Sequence, residues 1–195
     1  MEKIKKLIEE SKRFIKESAK GIWLLLRYGP AKVVEWKDQA FLDPLTCLPN
    51  RRYLEKEGKK EMVRATRYQR PFSIVQVDIV GFKKINDEEG HPAGDEVLKM
   101  VAAFLESSCR ESDTVFRTGG DEFTMLFPET YERGAERLIE RIKNKAIFSP
   151  AGRLIELSYG IVAWKEKLSL EELQGIADVK MYEGRGRRLM VSKLS

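Results

Sequence analysis

The chain has 195 residues, of which 42% are hydrophobic and 34% are charged, and its formal net charge is +5. This composition is typical of a soluble globular protein and excludes an intrinsically disordered one. The length suffices for one domain with a hydrophobic core and a short appendage. With only two cysteines the chain cannot have a disulfide framework or a metal site of paired cysteines, which favours a reducing cytoplasm.

The positive charge is concentrated near the N-terminus. Residues 1–42 hold ten Lys or Arg and six Asp or Glu, so the remainder is nearly neutral, which argues against nucleic acid as a partner. This nearly neutral charge does not exclude a small anionic substrate, because such a substrate needs only a few well-placed cations. The apolar run Ile22–Leu26 is too short to span a bilayer or to form a signal-peptide core.

Residues 2–27 are predicted to form a helix, because apolar residues recur there at helical spacing. A Gly-Pro pair then interrupts the pattern. Ile8, Ile15 and Ile22 lie seven residues apart, which is the spacing of a dimerising coiled coil. Two other interpretations stay open: a basic amphipathic helix on a membrane surface, and a helix that packs on its own domain.

A compact domain is predicted after this extension, so the expected division is 1–42 and 43–195. Its predicted elements are helix 50–67, strand 72–80, helices 82–89 and 93–108, hairpin strands 114–118 and 121–127, helix 130–147, strand region 153–164 and helix 169–183. Strands and helices alternate, while the hairpin introduces an antiparallel pair. We therefore predict an α/β (α+β) sandwich with a mainly antiparallel central sheet flanked by helices.

Acidic residues stand where apolar strands are predicted. Asp78 interrupts one strand, and burial of an unpaired carboxylate would cost on the order of several kcal/mol; an alternative is a strand-end Asp that caps the next helix. Gly119-Gly120 predicts a two-residue primed turn, after which Asp121 and Glu122 should point to opposite faces, so that one of them joins Asp78. Converging carboxylates need a cation, and an all-oxygen site suits Mg²⁺ and phosphoryl or nucleotidyl transfer.

The segment 81–98 carries polar groups suited to a nucleotide. Lys83 can reach a polyphosphate, and Asn86 and Asp95 offer groups that read a base edge. An Asp that accepts from the N1–H and amino group of guanine would reject adenine. A local interpretation is also open, with Asn86 as a turn former and Asp95 in the first turn of a helix beginning near Ala93.

Several motifs follow one another along the chain. They are DPLTCLPNRR (43–52), DIVGFKKINDEEGHPAGDEVL (78–98), RTGGDEF (117–123), LSYGIVAW (157–164) and ADVKMY (177–182). Together they resemble the GGDEF family, the diguanylate cyclases, over about residues 43–190. The resemblance implies a fold like the catalytic palm of nucleotidyl cyclases, and it implies condensation of two GTP into cyclic di-GMP with release of two pyrophosphates.

The resemblance also implies roles for individual residues. Asp78, the carbonyl of Ile79 and Asp121 would bind Mg²⁺, with Mn²⁺ as an alternative ion. Asp121 would also act as a base, Glu122 would be the other essential acid, and Lys83 would offset charge developing in the transition state. The residues implied to contact the substrate are Phe82, Lys83, Asn86, His91, Asp95, Gly119, Gly120 and Arg185.

One such domain holds one GTP, so the 3′-hydroxyl of one GTP attacks the α-phosphorus of the other only when two domains face each other. The resemblance therefore implies a homodimer. Arg110 and Asp113 of the RESD segment occupy the place of the family's product-inhibition site. At that site the Arg guanidinium can donate paired hydrogen bonds to a product phosphate or to the edge of a guanine, and Asp113 can accept hydrogen bonds from guanine. The alternative is an exposed ion pair at a helix-to-strand turn.

Two departures from the family pattern favour alternative functions. Val80 replaces the usual second Asp of the D-x-D motif. The segment after Tyr182 runs two residues short, with Arg185 where a phosphate-binding Lys is expected.

The main alternative is a GTP or cyclic di-GMP receptor without turnover. A mixed GMP–AMP product is opposed by Asp95, and a membrane or structural role led by the basic helix is a further alternative. The expected location is the bacterial cytoplasm, with the inner-membrane surface left open.

Overall fold

The computed structural model describes residues 41–143, 147–166 and 168–183. Its elements in chain order are α1 (Arg51–Tyr68), β1 (Phe72–Ile79), α2 (Phe82–Glu89), α3 (His91–Ser108), β2 (Thr114–Arg117), β3 (Glu122–Pro128), α4 (Glu132–Lys143), β4 (Leu157–Ala163) and α5 (Leu170–Glu183). Each element predicted over these residues is present, with ends that differ by a few residues. The interpretations of the N-terminal helix fall on residues 1–40, outside the described part.

The four strands form one sheet in the order β2-β3-β1-β4, and every neighbouring pair is antiparallel. This confirms the predicted mainly antiparallel sheet. β1 lies inside the sheet and pairs on both sides. Its register places Asp78 opposite Glu122 of β3 and opposite Ser158 of β4. Residues directly opposite each other in an antiparallel pair share a face, so this row of polar side chains lies on one side of the sheet.

Helices cover both faces of the sheet. α1 and α5 pack on the face that contains Phe72, Ile74 and Phe116. α3 and α4 pack on the opposite face, against residues such as Val75 and Phe123. β1 is therefore buried along nearly its whole length, which explains its almost continuous apolar sequence. No helix of the described part is both long and apolar enough to cross a bilayer.

α1 begins at a side-chain cap. The Asn50 side-chain oxygen accepts hydrogen bonds from the backbone amides of Arg52 (3.0 Å) and Tyr53 (3.3 Å), which satisfies two donors that a helix start leaves unpaired. The Asn50 amide nitrogen donates to the Leu42 carbonyl (3.4 Å). The cap thus also holds the turn that precedes the helix.

α5 approaches β4 without an intervening side chain. At Gly160, a Cβ would overlap the backbone carbonyl of Ala177 and would lie 2.6 Å from the Met181 amide nitrogen. Glycine is needed here because the backbones of helix and strand meet directly. The position of α5 over the sheet therefore depends on the absence of a side chain at residue 160.

We expect Gly160→Val to lower the free energy of unfolding by about 3 kcal/mol, because the helix must shift to admit the side chain. Urea unfolding measures this change. Gly175→Ala is the control: Gly175 lies on α5, the helix that meets Gly160, and a Cβ there has open space. That variant should be neutral or more stable by up to about 1 kcal/mol. Equal stabilities for the two variants would contradict the close contact.

Candidate active site

The turn between β2 and β3 is longer than the sequence predicted. The amides of Thr118 and Gly119 both donate to the Glu122 carbonyl (3.0 and 3.3 Å), which leaves residues 119–121 as a loop that we call the signature loop. Neither Gly119 nor Gly120 has a positive φ, as a two-residue primed turn requires at one or both central residues. The prediction of a primed Gly-Gly turn is therefore wrong.

Glycine is needed at position 119 because a neighbouring side chain occupies the space of a Cβ, not because the turn requires it. A Cβ on Gly119 would lie 2.5 Å from Oε2 of Glu122, so the Glu122 carboxylate folds back over the loop. A Cβ on Gly120 would meet no atom within 4 Å. Gly119 thus makes room for the Glu122 carboxylate. Gly120 leaves its backbone accessible to a ligand.

The acidic residues meet at the end of β1. Asp78 is half-buried and lies directly opposite Glu122, which begins β3 and is exposed. Asp121 lies in the signature loop, one residue before the strand, so strand alternation does not fix its direction. The register therefore brings Glu122 to Asp78, and the predicted convergence of Asp121 with Asp78 stays a prediction. α2 begins after Gly81, which has no side chain to cap the helix, so the alternative in which Asp78 caps α2 stays open.

The donor groups at this edge fit a magnesium ion that keeps several of its waters. Carboxylates and the backbone carbonyl after Asp78 are hard oxygen ligands of the kind that Mg²⁺ prefers. In the described part of the chain, no group of three or more acidic, histidine or cysteine residues is placed so that it could hold a metal ion. The site is thus compatible with an ion bound by few protein ligands, as Mg²⁺ is when substrate phosphates complete its shell.

Arg117, at the end of β2, holds the signature loop. Its Nε and Nη2 donate to the Gly120 carbonyl at 3.2 and 2.6 Å. Its Nη1 donates to Asp43 Oδ1 at 2.9 Å, and both side chains of this ion pair are largely buried. The planar guanidinium thus joins the loop to the turn before α1. The sequence motifs contain both residues, but neither received a predicted role.

Asp43 organises the turn that it begins. Its Oδ1 accepts from the Thr46 amide (2.8 Å) and hydroxyl (2.7 Å), and its backbone carbonyl accepts from Cys47, whose φ of 59° is left-handed. Burial raises the pKa of Asp43, but the hydrogen bonds from Thr46 and the bond and charge of Arg117 outweigh burial and lower the pKa below its usual value. Asp43 is therefore held ionised.

The helical hairpin α2–α3 brings the predicted nucleotide-binding residues together. The Asn86 side-chain carbonyl occupies the space that a Cβ on Gly94 would fill, so Asn86 lies against the residue that precedes Asp95. α3 begins at His91 rather than near Ala93, so Asp95 lies beyond its first turn. His91 and Asp95 are exposed. Asn86 on α2 thus contacts the part of α3 that immediately precedes Asp95, and recognition of one base by the two residues stays a prediction.

The two predicted triphosphate contacts on α2 differ in exposure. Phe82 packs partly against the core, and its ring would lie 3.3 Å from a Cβ on Gly94. Lys83, the next residue, is exposed. Arg185 follows α5 and lies outside the described residues. Its predicted role therefore stays a prediction.

Asp113 closes the turn between α3 and β2. It is only 2% exposed, and its Oδ2 accepts from the Arg110 amide (2.9 Å), while the Asp113 amide donates to the Arg110 carbonyl (3.1 Å). The Ser112 hydroxyl lies 3.3 Å from Oδ1. This burial does not fit the alternative of an exposed ion pair. Arg110 itself is exposed.

Comparisons with known proteins place the chain among bacterial relatives. The family model described as "Diguanylate cyclase, GGDEF domain" matches residues 40–188. Diguanylate cyclase DosC of Escherichia coli K12 is 37% identical over 152 residues, which make up 75% of this chain and 33% of DosC. Diguanylate cyclase DgcS of Shewanella oneidensis is 34% identical over 164 residues, which make up 83% of this chain and 55% of DgcS. The chain therefore spans between a third and about half of these relatives.

A solved structure shows the same architecture. The crystal structure of the GGDEF domain of DgcB from Caulobacter crescentus, in complex with c-di-GMP, matches with a TM-score of 0.71 at 27% identity. The match covers 77% of this chain and 91% of that one. This likeness confirms the palm-like fold that the sequence motifs implied.

Asp43 gives a prediction for acid stability. Because its folded-state pKa is lowered, its contribution to stability is present above the usual carboxyl value of about 4 and is lost as the pH falls through the lowered pKa. We expect the free energy of unfolding of Asp43→Asn to be lower than that of the original chain by about 2 kcal/mol at pH 7. In acid the two free energies of unfolding should become equal. Urea unfolding at a series of pH values measures the difference.

The matched control for this series is Asp87→Asn, which changes an exposed acid on α2. Its free energy of unfolding should equal that of the original chain at every pH. A difference between Asp43→Asn and the original chain that stayed constant from neutral pH into acid would contradict the assignment.

Proposed function

Because the chain belongs to the GGDEF family of diguanylate cyclases, we propose that it condenses two GTP molecules into cyclic di-GMP and releases two pyrophosphates. The observation that carries this proposal is the pairing of Asp78 with Glu122 beside the signature loop. It places two acids at the open end of the sheet, next to a loop whose second glycine leaves the backbone accessible. Relatives named diguanylate cyclases, and the c-di-GMP bound to the DgcB domain, support the same activity.

In the proposed site, Asp78, the Ile79 carbonyl and Asp121 hold Mg²⁺, and Mn²⁺ is an alternative. When bound, this ion offsets phosphate charge during an in-line displacement. The direct pairing of Glu122 with Asp78 supports a further role for Glu122 next to the ion, either through bound water or by orienting Asp78. Both strands are rigid elements of the sheet, so they fix the acids before substrate arrives.

The remaining residues bind and orient GTP. Asn86 and Asp95 hold the guanine edge, and His91 lies near the nucleoside. Asp121 accepts the proton of the attacking 3′-hydroxyl, whose oxygen then bonds to the α-phosphorus of the second GTP as pyrophosphate leaves. Lys83 offsets charge on the triphosphate in the transition state. The other proposed triphosphate contacts are Phe82, Gly119, Gly120 and Arg185.

A homodimer follows from this mechanism, because each domain supplies one GTP and the product contains two. The two sites must face each other so that each 3′-hydroxyl meets the α-phosphorus held by the partner. Turnover should therefore rise more steeply than in proportion to protein concentration where monomers prevail.

The proposal is tested by incubating purified protein with GTP and Mg²⁺ and measuring cyclic di-GMP. Asp78→Asn and Asp121→Asn should each lower kcat by a factor of about 100 or more, as expected for loss of a metal ligand or a base. Chelation of divalent ions should abolish turnover. Asp87→Asn, which changes an exposed acid elsewhere on α2, is the matched control and should retain activity. Absence of product at high protein concentration, although GTP binds, would contradict the cyclase proposal.

A receptor for GTP or cyclic di-GMP is the second candidate function. Val80 stands in place of an acid at the end of β1, and the described acids do not form a group of three. A receptor predicts binding without chemistry, and Asp121→Ala would then leave the biological output unchanged. GTP supplied together with ATP tests for a mixed product in the same assay.

Product inhibition is proposed to depend on Arg110. Arg110 is an exposed residue at a turn that the Asp113 carboxylate closes through the backbone, which supports a defined place for contacting product phosphate or guanine. Because Asp113 is buried and bonded to the backbone, its main contribution in this proposal is to shape the turn.

We expect Arg110→Ala to raise the cyclic di-GMP concentration that halves activity by about tenfold or more, which corresponds to loss of one charge-assisted contact. Initial rates measured with added cyclic di-GMP determine that concentration. Arg133→Ala, which removes an exposed arginine on α4, is the control and should leave inhibition unchanged. Unaltered inhibition in Arg110→Ala would place the inhibitory site elsewhere.

A further inference from the structure

α2 carries Lys83 and Asn86, which are proposed to bind GTP, but the helix has few contacts of its own that fix its place. It has eight residues, and a helix of this length is not stable in water without tertiary contacts. Ile85 is its only fully buried residue, and Gly81 provides no side-chain cap. The position of α2 must therefore be set by other parts of the domain.

Both ends of α2 are bonded to one segment, residues 147–156, which directly precedes β4. Before the helix, the Val80 amide donates to the Glu156 carbonyl (2.9 Å). At the other end, the Arg153 side chain contacts the last turn of the helix. The place of α2 thus depends on how this segment presents Arg153.

Residues 147–155 form a small turn that fixes the Arg153 backbone, and we call it the Arg153 hairpin. The Arg153 carbonyl accepts from the Ser149 amide (2.7 Å), and the Arg153 amide donates to the Ser149 hydroxyl (3.2 Å). At its base the Ile155 amide donates to the Ile147 carbonyl (2.8 Å), and both isoleucines are buried in the core beneath α3 and α4. The Arg153 side chain therefore extends from an anchored base.

The Arg153 guanidinium contacts two acids at the end of α2. Its Nη2 donates to Oε2 of Glu88, whose side chain is 45% exposed and whose Oε1 also lies 3.6 Å from Lys84 Nζ. Its Nε lies 3.7 Å from Oε1 of Glu89, whose side chain is only 12% exposed. Among the described residues, Oε2 of Glu89 finds no hydrogen-bond donor. Glu89 is therefore a mostly buried carboxylate whose charge Arg153 offsets.

The contact with Glu89 should matter more than the contact with Glu88. An exposed ion pair contributes little to stability, whereas removing one partner of a buried pair leaves a charge without compensation. Glu89 lies four residues after Ile85, so the two side chains share the buried face of α2. Without Arg153, packing this face on the core would bury an uncompensated charge, which would drive the end of the helix towards solvent.

We propose that Arg153 is a positioning residue that holds α2 in the place from which Lys83 and Asn86 contact GTP. It does so by offsetting the charge of Glu89 and by donating to Glu88. Arg153 itself is not proposed to touch GTP. Its effect on GTP binding rests on the proposed function, but its effect on the place of α2 does not.

Hydrogen exchange of α2 tests this proposal without any activity. Its amides, and that of Gly90, which donates to the Asn86 carbonyl (3.0 Å), are protected only while the helix is formed. We expect Arg153→Ala to speed exchange in peptides covering 82–90 by about tenfold, because charge-assisted contacts to the helix are lost. Peptides from β1 and α5 should be unchanged. Unchanged exchange at 82–90 in folded Arg153→Ala would overturn the proposal.

Two controls change charges on α2 itself. Lys84→Ala removes the cation that contacts Glu88 from within the same helix, and Asp87→Asn neutralises a neighbouring exposed acid. Neither substitution touches the contact between α2 and the Arg153 hairpin. Both variants should therefore leave exchange at 82–90 within about twofold of the original chain, and a tenfold increase in either would overturn the assignment to Arg153.

A second substitution separates charge compensation from loss of packing. Adding Glu89→Gln to Arg153→Ala removes the uncompensated charge and keeps the shape of the side chain. Exchange at 82–90 should then be slower than in Arg153→Ala alone, and exchange that is equally fast or faster would overturn the proposal. If Arg153→Ala folds poorly, the same comparison is made with Arg153→Lys, which keeps the charge but loses the fixed geometry of the guanidinium donors.

Kinetics then test the consequence for GTP. When a binding-competent position is only partly populated, the apparent affinity falls by that fraction, and bound ligand restores the position. Arg153→Ala should therefore raise KM for GTP several-fold and leave kcat within about twofold, whereas Lys83→Ala should lower kcat. A lower kcat at unchanged KM in Arg153→Ala would overturn the positioning role. If the original chain makes no cyclic di-GMP, the proposed function fails, and the exchange experiment still decides whether Arg153 holds α2.

Discussion

The antiparallel register of β1 against β3 determines which side chains meet at the end of the sheet. A slip of one residue would move Asp78 and Gln76 to the opposite face, among the apolar residues beneath α3 and α4. That slip is unfavourable because both faces of β1 are covered by helices, so the polar side chains would be buried among apolar ones. Packing in the core thus specifies which residues lie opposite each other in the acidic row.

The signature loop is held by two contacts of different physical kinds. Arg117 uses charge-assisted hydrogen bonds to Gly120 and Asp43, and the bond to Asp43 depends on pH because it requires the ionised carboxylate. The second contact joins the hydroxyls of Thr118 and Thr124, which lie 3.1 Å apart and are uncharged, so salt does not screen it. A loop restrained in both ways should keep its position when one contact weakens, which suits the highly charged nucleotide that we propose as its ligand.

Sequence patterns predicted the elements and the mainly antiparallel sheet, because apolar periodicity reports directly on burial. They also placed Asn86 on the helix over 82–89 and Asp95 on the helix that follows, as the structure has them. They failed at Gly119, where glycine makes room for the Glu122 carboxylate, a contact that turn statistics do not contain. They also missed the close approach of α5 to Gly160, because helix and strand meet there only through long-range packing. The burial of Asp113 was missed for a similar reason, since a turn acid and a ligand-binding acid look alike in sequence.

The inner position of β1 has a consequence for how the chain acquires its structure. Its two partners, β3 and β4, both follow it, and β4 comes last among the strands. During synthesis a nearly continuous apolar strand is therefore made before either of its edges can be covered. Unpaired apolar edges associate with one another, so this interval is when the nascent protein is most prone to aggregate. Pairing with β4 ends that exposure, and the docking of α5 at Gly160 completes the cover.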